Sequence, residues 1–268
     1  MSLRITQNIE ALTASRHLAT THSAISKSME KLSSGYRINS AADDAAGLGI
    51  SESMRSQIRG LAQGQRNIQD GVSMVQTAEG NLDEVHSMLQ RIRELAVQYK
   101  NGSLDTNARS SIQNEVNQLA SEISRIGAQE QFNGTYLLNT AGTVSFQVGA
   151  NDSEQIGVTT INLATAVGTS YFQLSTANTS DISEVDAAIT AVSSARAGFG
   201  AVQNRLEHTL SLQAAYQENL TAAESRIRDV DMAEEMVNLT KTQILQQAGT
   251  AMLAQANQAP QSVLKLLG

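Results

Sequence analysis

Four histidines and one acidic pair are the residues of this 268-residue chain whose types suit metal binding or catalysis. His17, His22, His86 and His208 stand far apart in the sequence, apart from the pair 17 and 22. A zinc protease needs two histidines four apart on one helix face with a glutamate between them, and a nucleophilic triad needs a base held by an orienting carboxylate. Neither spacing occurs, so the four read as solvated or structural groups. Asp43 and Asp44 could ligate a cation, but two carboxylates entering a helix complement its dipole, and that reading is preferred. The glycines of GYRINSAADDAAGLG (35–49) lack the GK[ST] ending that grips phosphate and magnesium, and read as turn or close-packing positions. With no cysteine there is neither a disulfide nor a thiolate site. The sequence therefore predicts no enzyme, no metal and no cofactor, and attention moves to the elements themselves.

Composition narrows the class further. Aromatic residues make up 3% of the chain and Trp is absent, so a core must be built from Leu, Ile, Val, Met and Ala, which suits helix bundles. The net charge of −7 argues against a nucleic-acid surface, which needs a basic stripe to neutralise phosphates. The N-terminal MSLRITQNIEALTASRHL has neither the apolar stretch nor the small-residue site of a cleaved signal peptide, so export would use another route. No membrane span is expected. Residues 242–264 carry no charge, but Gln243, Gln246, Gln247, Gln255, Gln258 and Gln261 would each place an amide in hydrocarbon.

A single proline, Pro260, permits long helices. Met54, Leu61, Ile68, Val75, Leu82, Leu89 and Ala96 recur at intervals of seven, with Val72, Val85, Ile92 and Tyr99 beside them. This predicts one helix of roughly 46 residues, about 70 Å long at the α-helical rise. Val185, Val192, Phe199, Leu206, Gln213, Leu220 and Ile227 repeat the interval, flanked by Ile189, Val202, Leu210 and Tyr216. The two stretches are read as an antiparallel coiled coil. Ile112, Val116, Leu119, Ile123 and Ile126 predict a shorter third helix, entered through NGSLDT (101–106) with Gly102 at a helix end and Asp105 or Thr106 as cap. Gly198 and Gly200 inside the second heptad stretch cost about 1 kcal/mol each relative to Ala, which close helix approach would offset.

Between 131 and 180 the texture changes: TVSFQVG (143–149) and QIGVTTINL (155–163) predict a β-hairpin, and the residues beyond it are weakly patterned. Ile5, Ile9, Leu12, Leu18, Ile25, Met29 and Leu32 mark an N-terminal amphipathic helix with a change of register. The fold class expected is mainly α: a long antiparallel coiled-coil bundle with a small β-hairpin region and helical chain ends.

Five stretches carry a resemblance: EKLSSGYRINSAADDAAGLGISESMRSQIRGL (30–61), QDGVSMVQTAEGNLDEVHSMLQRIRELAVQ (69–98), EQFNGTYLL (130–138), ARAGFGAVQNRLE (195–207) and the closing AMLAQANQAPQSVLKLL. In this order they resemble bacterial flagellin over roughly 1–140 and 185–268. Many flagellins have large variable outer domains in the middle, whereas this chain has about fifty residues there, so the resemblance implies a minimal form.

The resemblance implies that 1–44 and 232–268 are the N- and C-terminal parts of an inner tube domain, their helices pairing into a filament core. Residues 45–231 would be a rod-like helical domain with a hairpin near 140–165 and a short loop region at 163–181. Core packing would fall to Ile5, Ile9, Leu12, Ile244, Leu245, Met252, Val263, Leu264 and Leu267. An axial-contact or animal-receptor surface would use Gln90, Arg91, Glu94, Leu95, Gln98 and Glu115. Arg37, Ile38, Asn39, Ser40, Asp43, Asp44, Gly47 and Leu48 lie in a stretch similar to a peptide perceived by a plant receptor. Implied partners are further copies in a homopolymer, the flagellar export apparatus, a flagellin chaperone, the filament cap, hook-junction proteins and host immune receptors. The implied location is the extracellular filament used for motility. A hook-filament junction protein and a non-flagellar secreted coiled-coil effector are the alternatives; the former tends to lack complete QRIRELAVQ and RINSAADDAAGL stretches.

Overall fold

The computed structural model describes residues 8–168, 173–175 and 181–267, with side chains described as far as Gln258. In chain order the elements are α1 (Ile9–Ser34), α2 (Ala45–Tyr99), α3 (Thr106–Gln129), β1 (Gln131–Phe132), β2 (Thr135–Tyr136), β3 (Gly142–Gln147), β4 (Gln155–Thr160), α4 (Leu163–Val167), α5 (Asp181–Arg228) and α6 (Met232–Leu267). The chain divides into two compact units, one of residues 1–56 and 219–268, the other of 57–218, and α2 and α5 contribute to both.

In the unit of 57–218 the seven-residue repeat is the core. Leu61, Ile68, Val75, Leu82, Leu89 and Ala96 of α2 are all buried, with Val185, Val192, Phe199 and Leu206 of α5. Each such aliphatic side chain removed from water contributes about 1.5–3 kcal/mol, so the seam alone outweighs any exposed ion pair in the unit. Those ion pairs do report direction. Gln65 donates to Gln217 (2.8 Å), Arg196 reaches Glu79 and Asp83 (both 2.7 Å), and Arg93 reaches Asp186 (2.5 Å), so α2 and α5 run antiparallel. Ile112, Val116, Ile123 and Ile126 bring α3 into the same core. Asp105 is the cap of α3, its carboxylate accepting from the Ala108 N–H at 2.7 Å. Tyr216, expected beside the seam, is 51% exposed: toward that end of the unit Gln213 is only half-buried and the stripe opens to solvent.

The expected hairpin is β3–β4, with Val144 opposite Val158 and Phe146 opposite Ile156. It lies along α2, and glycines let it do so. A Cβ on Gly64 would collide with the Val148 carbonyl group, one on Gly60 would meet the Ala150 Cβ at 2.9 Å, and one on Gly71 would touch the Phe146 ring at 3.3 Å. The close approach therefore belongs to Gly60, Gly64 and Gly71. Gly198 and Gly200, to which sequence reasoning gave it, have open space where a side chain would be. Gly102 likewise has open space and is not among the glycines of positive φ; α2 closes through Lys100 N–H to Ala96 O and Asn101 N–H to Gln98 O.

Two glycines of one helix thus predict opposite results. Ala is favoured over Gly in a helix by about 1 kcal/mol, and nothing opposes that gain at Gly80, so Gly80→Ala is expected to stabilise by about 0.5–1 kcal/mol. At Gly64 the obstacle is backbone that cannot rotate away, and Gly64→Ala is expected to destabilise by about 1–3 kcal/mol. Denaturant unfolding of the two variants checks the signs.

Two small elements escaped the sequence reading. β1 and β2 form a hairpin around Asn133 (φ 48°) and Gly134 (φ 81°), an Asn-Gly turn of left-handed residues. α4 is a single turn capped by Asn162, whose side chain accepts from Thr165 N–H at 3.0 Å.

In the unit of 1–56 and 219–268, α1 and α6 pack antiparallel. The Asn8 amide donates to Ala256 O at 2.8 Å, and Gly249 lies where a Cβ would meet Leu18 at 3.3 Å. Asn8 also caps α1, and Gly35 ends it at φ 75°. The unit hardly has a core: among the described residues its fully buried hydrophobic side chains are Ile38 and Leu239.

Candidate assembly surfaces

Within the unit of 1–56 and 219–268 the junctions α1–α2 and α5–α6 are stitched together, which fixes where the terminal helices start from the ends of α2 and α5. Tyr36 bridges Asp229; Arg37 N–H donates to Arg228 O (2.7 Å) and Val230 N–H to Gly35 O (3.0 Å). The Arg37 guanidinium donates to Ile227 O at 2.5 Å. Arg228, 8% exposed, lies over the Tyr36 ring at 4.9 Å and pairs with Glu52 at 2.5 Å. Asp43 and Asp44 divide their work. Asp43 accepts from Ser40 N–H and hydroxyl (both 3.0 Å) and from Asn39 N–H (3.3 Å), closing the turn, and these bonds, the Ser40 backbone first, hold its pKa below the ordinary aspartate value. Asp44 accepts from Gly47 N–H at 2.9 Å at the start of α2. Gly47 is confined between Asp44 and the Ile38 side chain, which is 1% exposed. Arg37, Asn39, Ser40 and Asp43 are exposed, and Asp44 and Leu48 half-buried.

The Arg228 hydrogen bond depresses the Glu52 pKa. A carboxyl whose folded pKa lies below its unfolded one stabilises at pH above the unfolded value and loses that contribution as pH falls through the folded one. The wild type is therefore expected to lose stability across the acid side of the glutamate range more steeply than Glu52→Gln, as melting temperature against pH would show.

Several large apolar side chains of α1 and α6 are left mostly exposed in the single chain. Ile9 is 59% exposed, Leu12 62%, Ile244 60%, Leu245 50% and Met252 66%. An open groove of about 900 Å³ runs between the two helices, lined by Ile9, His17 and Leu18 from one side and by Leu245, Gly249 and Met252 from the other. Of the fourteen large hydrophobic side chains exposed among the described residues, ten belong to this unit. Ile5 and the side chains of Val263, Leu264 and Leu267 lie outside the described residues.

A second surface, on the unit of 57–218, is charged. Arg91 pairs with Glu115 of α3 (2.9 Å) and with Glu94 (3.0 Å), and the two carboxylates, Glu115 first, raise its pKa above the ordinary arginine value. Gln90 and Gln98 extend the same exposed face. Leu95 does not belong to it. It is 2% exposed, because it stands three residues after Ile92 on the core side of α2. His86, at 2.9 Å from Gln90, has a buried Nδ1 without a hydrogen-bond partner. Among the described residues no three His, Asp or Glu side chains come together as metal ligands, and no helix is long and apolar enough to cross a membrane.

A helical chain with its apolar side chains outward on paired terminal helices is a subunit made to associate. The comparisons give the family. Residues 5–143 match the bacterial flagellin N-terminal helical region and residues 182–267 the bacterial flagellin C-terminal helical region. A flagellin of Halalkalibacterium halodurans is 52% identical over 269 residues, spanning 98% of this chain and 99% of its own. A flagellin of Bacillus subtilis is 49% identical over 303 residues, spanning 99% of this chain and all of its own (100%). The crystal structure of Bacillus cereus flagellin superposes with a TM-score of 0.50 at 30% identity, covering 55% of this chain and 88% of that one. The chain belongs to the bacterial flagellin family and is a structural filament protein, not an enzyme.

Proposed function

We propose that this chain polymerises into the extracellular helical filament of a bacterial flagellum and serves motility as its structural subunit. The observation that carries the reading is the outward apolar face of α1 and α6, with Ile9, Leu12, Ile244, Leu245 and Met252 half or more exposed in a chain whose relatives are flagellins. In this reading 1–44 and 232–268 build the inner tube of the polymer, and 45–231 the helical shell around it. Purified chain added to sheared filament seeds should elongate them, as electron microscopy would show. Seeds that stay the same length would favour the secreted effector, and a thin ring of copies in place of thousands along a filament would favour the junction protein.

The uncharged stretch 242–264 then lines or adjoins a central export channel, where Gln side chains offer neither apolar patches nor fixed charges to a passing chain. Export apparatus, chaperone, filament cap and hook-junction proteins are the partners this role requires. Gln-to-Glu or Gln-to-Leu changes on the channel face should shorten filaments; unaltered export would contradict the channel assignment. The exposed Arg91, Glu94, Glu115, Gln90 and Gln98 serve axial contacts between subunits, and the same face is open to an animal receptor in the free subunit. Arg91→Glu should weaken both filament growth and receptor activation while leaving thermal melting nearly unchanged, since an exposed pair contributes little to folding. The stretch from Arg37 to Leu48 is the corresponding candidate for a plant receptor, acting as free peptide because Ile38 is buried in the folded chain.

A further inference from the structure

Of the eight methionines, Met1 lies outside the described residues and Met54 is half-buried in α2; the other six divide by exposure between the two units. Met29, Met232, Met236 and Met252 are 55%, 50%, 50% and 66% exposed, and all four belong to the unit of 1–56 and 219–268. Met74, in the core of the unit of 57–218, is 2% exposed, and Met88 is packed against that core. Met252 lines the groove between α1 and α6, and Met236 lies with Val237 and Ile244 on another exposed face of α6. Half or more of each of these residues is exposed, so the thioethers add little to the folded chain, yet they are four of the ten large apolar side chains that this unit exposes among the described residues.

We propose that these four methionines are a site of reversible oxidation by hydrogen peroxide or another hydroperoxide, which blocks association of the free subunit without unfolding it. The inference rests on the assembly reading above. In the reaction the thioether sulfur attacks one peroxide oxygen, the O–O bond breaks and an S–O bond forms; the second oxygen leaves as water with both protons of hydrogen peroxide, or as the alcohol when the oxidant is an organic hydroperoxide. Sulfur loses the two electrons that the peroxide gains. The product is a polar sulfoxide whose oxygen needs a hydrogen-bond donor, and an apolar contact between subunits offers none. Free subunits expose the four sulfurs; assembled ones cover them, so oxidation selects the unassembled chain. A methionine sulfoxide reductase returns the thioether at the expense of a dithiol, which becomes a disulfide as water is released.

The test treats full-length chain with hydrogen peroxide and follows each methionine by peptide mass spectrometry. Sulfoxide is expected to form at Met29, Met232, Met236 and Met252 at least about tenfold faster than at Met74, because reactivity follows exposure. Oxidised chain should keep its melting temperature, lose most of its elongation of filament seeds, and regain it after reductase treatment. A variant with all four changed to Leu is read as the ratio of its own elongation with and without peroxide, which should stay near one whatever its untreated yield. Oxidation of Met74 at the same rate, undiminished elongation by the fully sulfoxidised chain, or failure of the reductase to restore it would each overturn the inference. Untreated wild-type chain that elongates no seeds would overturn the assembly reading itself.

Discussion

Leu245→Asp combined with Met252→Asp is expected to abolish polymerisation while leaving the unfolding of the core around α2, α3 and α5 unchanged. Both side chains line the open groove between α1 and α6 and remain 50% and 66% exposed, so the folded subunit loses little when they become polar. In a polymer each would be a carboxylate facing an apolar neighbour. Leaving a buried polar group without a partner costs about 1–3 kcal/mol, and an unpaired charge costs more. Two such groups at one interface correspond to a loss of at least about a hundredfold in the association constant, and a subunit in a filament meets several neighbours. The measurement is the concentration needed for seed elongation. A double variant that elongates at the wild-type concentration would mean that the groove of α1 and α6 faces water in the assembly.

Leu89→Ala should have the largest effect on folding. Leu89 is fully buried, at 0% exposure, in the middle of the heptad seam, between Leu82, Val85 and Ile92 on one helix face. Truncation removes its transfer energy and leaves a cavity among side chains that cannot close over it, a loss of about 2–5 kcal/mol. Leu212→Ala is the comparison: at 71% exposure its change should stay within about 0.5 kcal/mol. Denaturant unfolding of both, read at equal slope, separates the two outcomes. Near-equal losses would mean that the seam is placed wrongly.

What the sequence made legible was what repeats locally. The seven-residue recurrence from Leu61 to Ala96 and from Val185 to Leu206 is the buried seam, because burial in a pair of long helices depends on spacing within each helix. The same rule applied with more care would have moved Leu95 to the core, since it follows Ile92 by three. Asn133-Gly134 inside EQFNGTYLL is legible in the same way, as the strongest short signal for a hairpin. The glycines were not legible in that way. Gly64 differs from Gly80 or Gly198 only by what lies opposite, and the strand β3 that leads to Val148 comes some eighty residues later in the chain. The Arg91–Glu115 pair joins two helices across a reversal, so it entered through resemblance and not through spacing. The division of Asp43 and Asp44 into turn closure and helix cap depends on one residue of register that composition does not resolve.

In the proposed assembly the apolar side chains left open on α1 and α6 are the surface by which copies of this chain join. An electron cryomicroscopy map of the polymer grown from the purified chain tests it most directly. Ile9, Leu12, Ile244, Leu245 and Met252 are expected to be buried against neighbouring subunits around a central channel. A map in which those five side chains remain in solvent, with subunits joined through other faces, would contradict it.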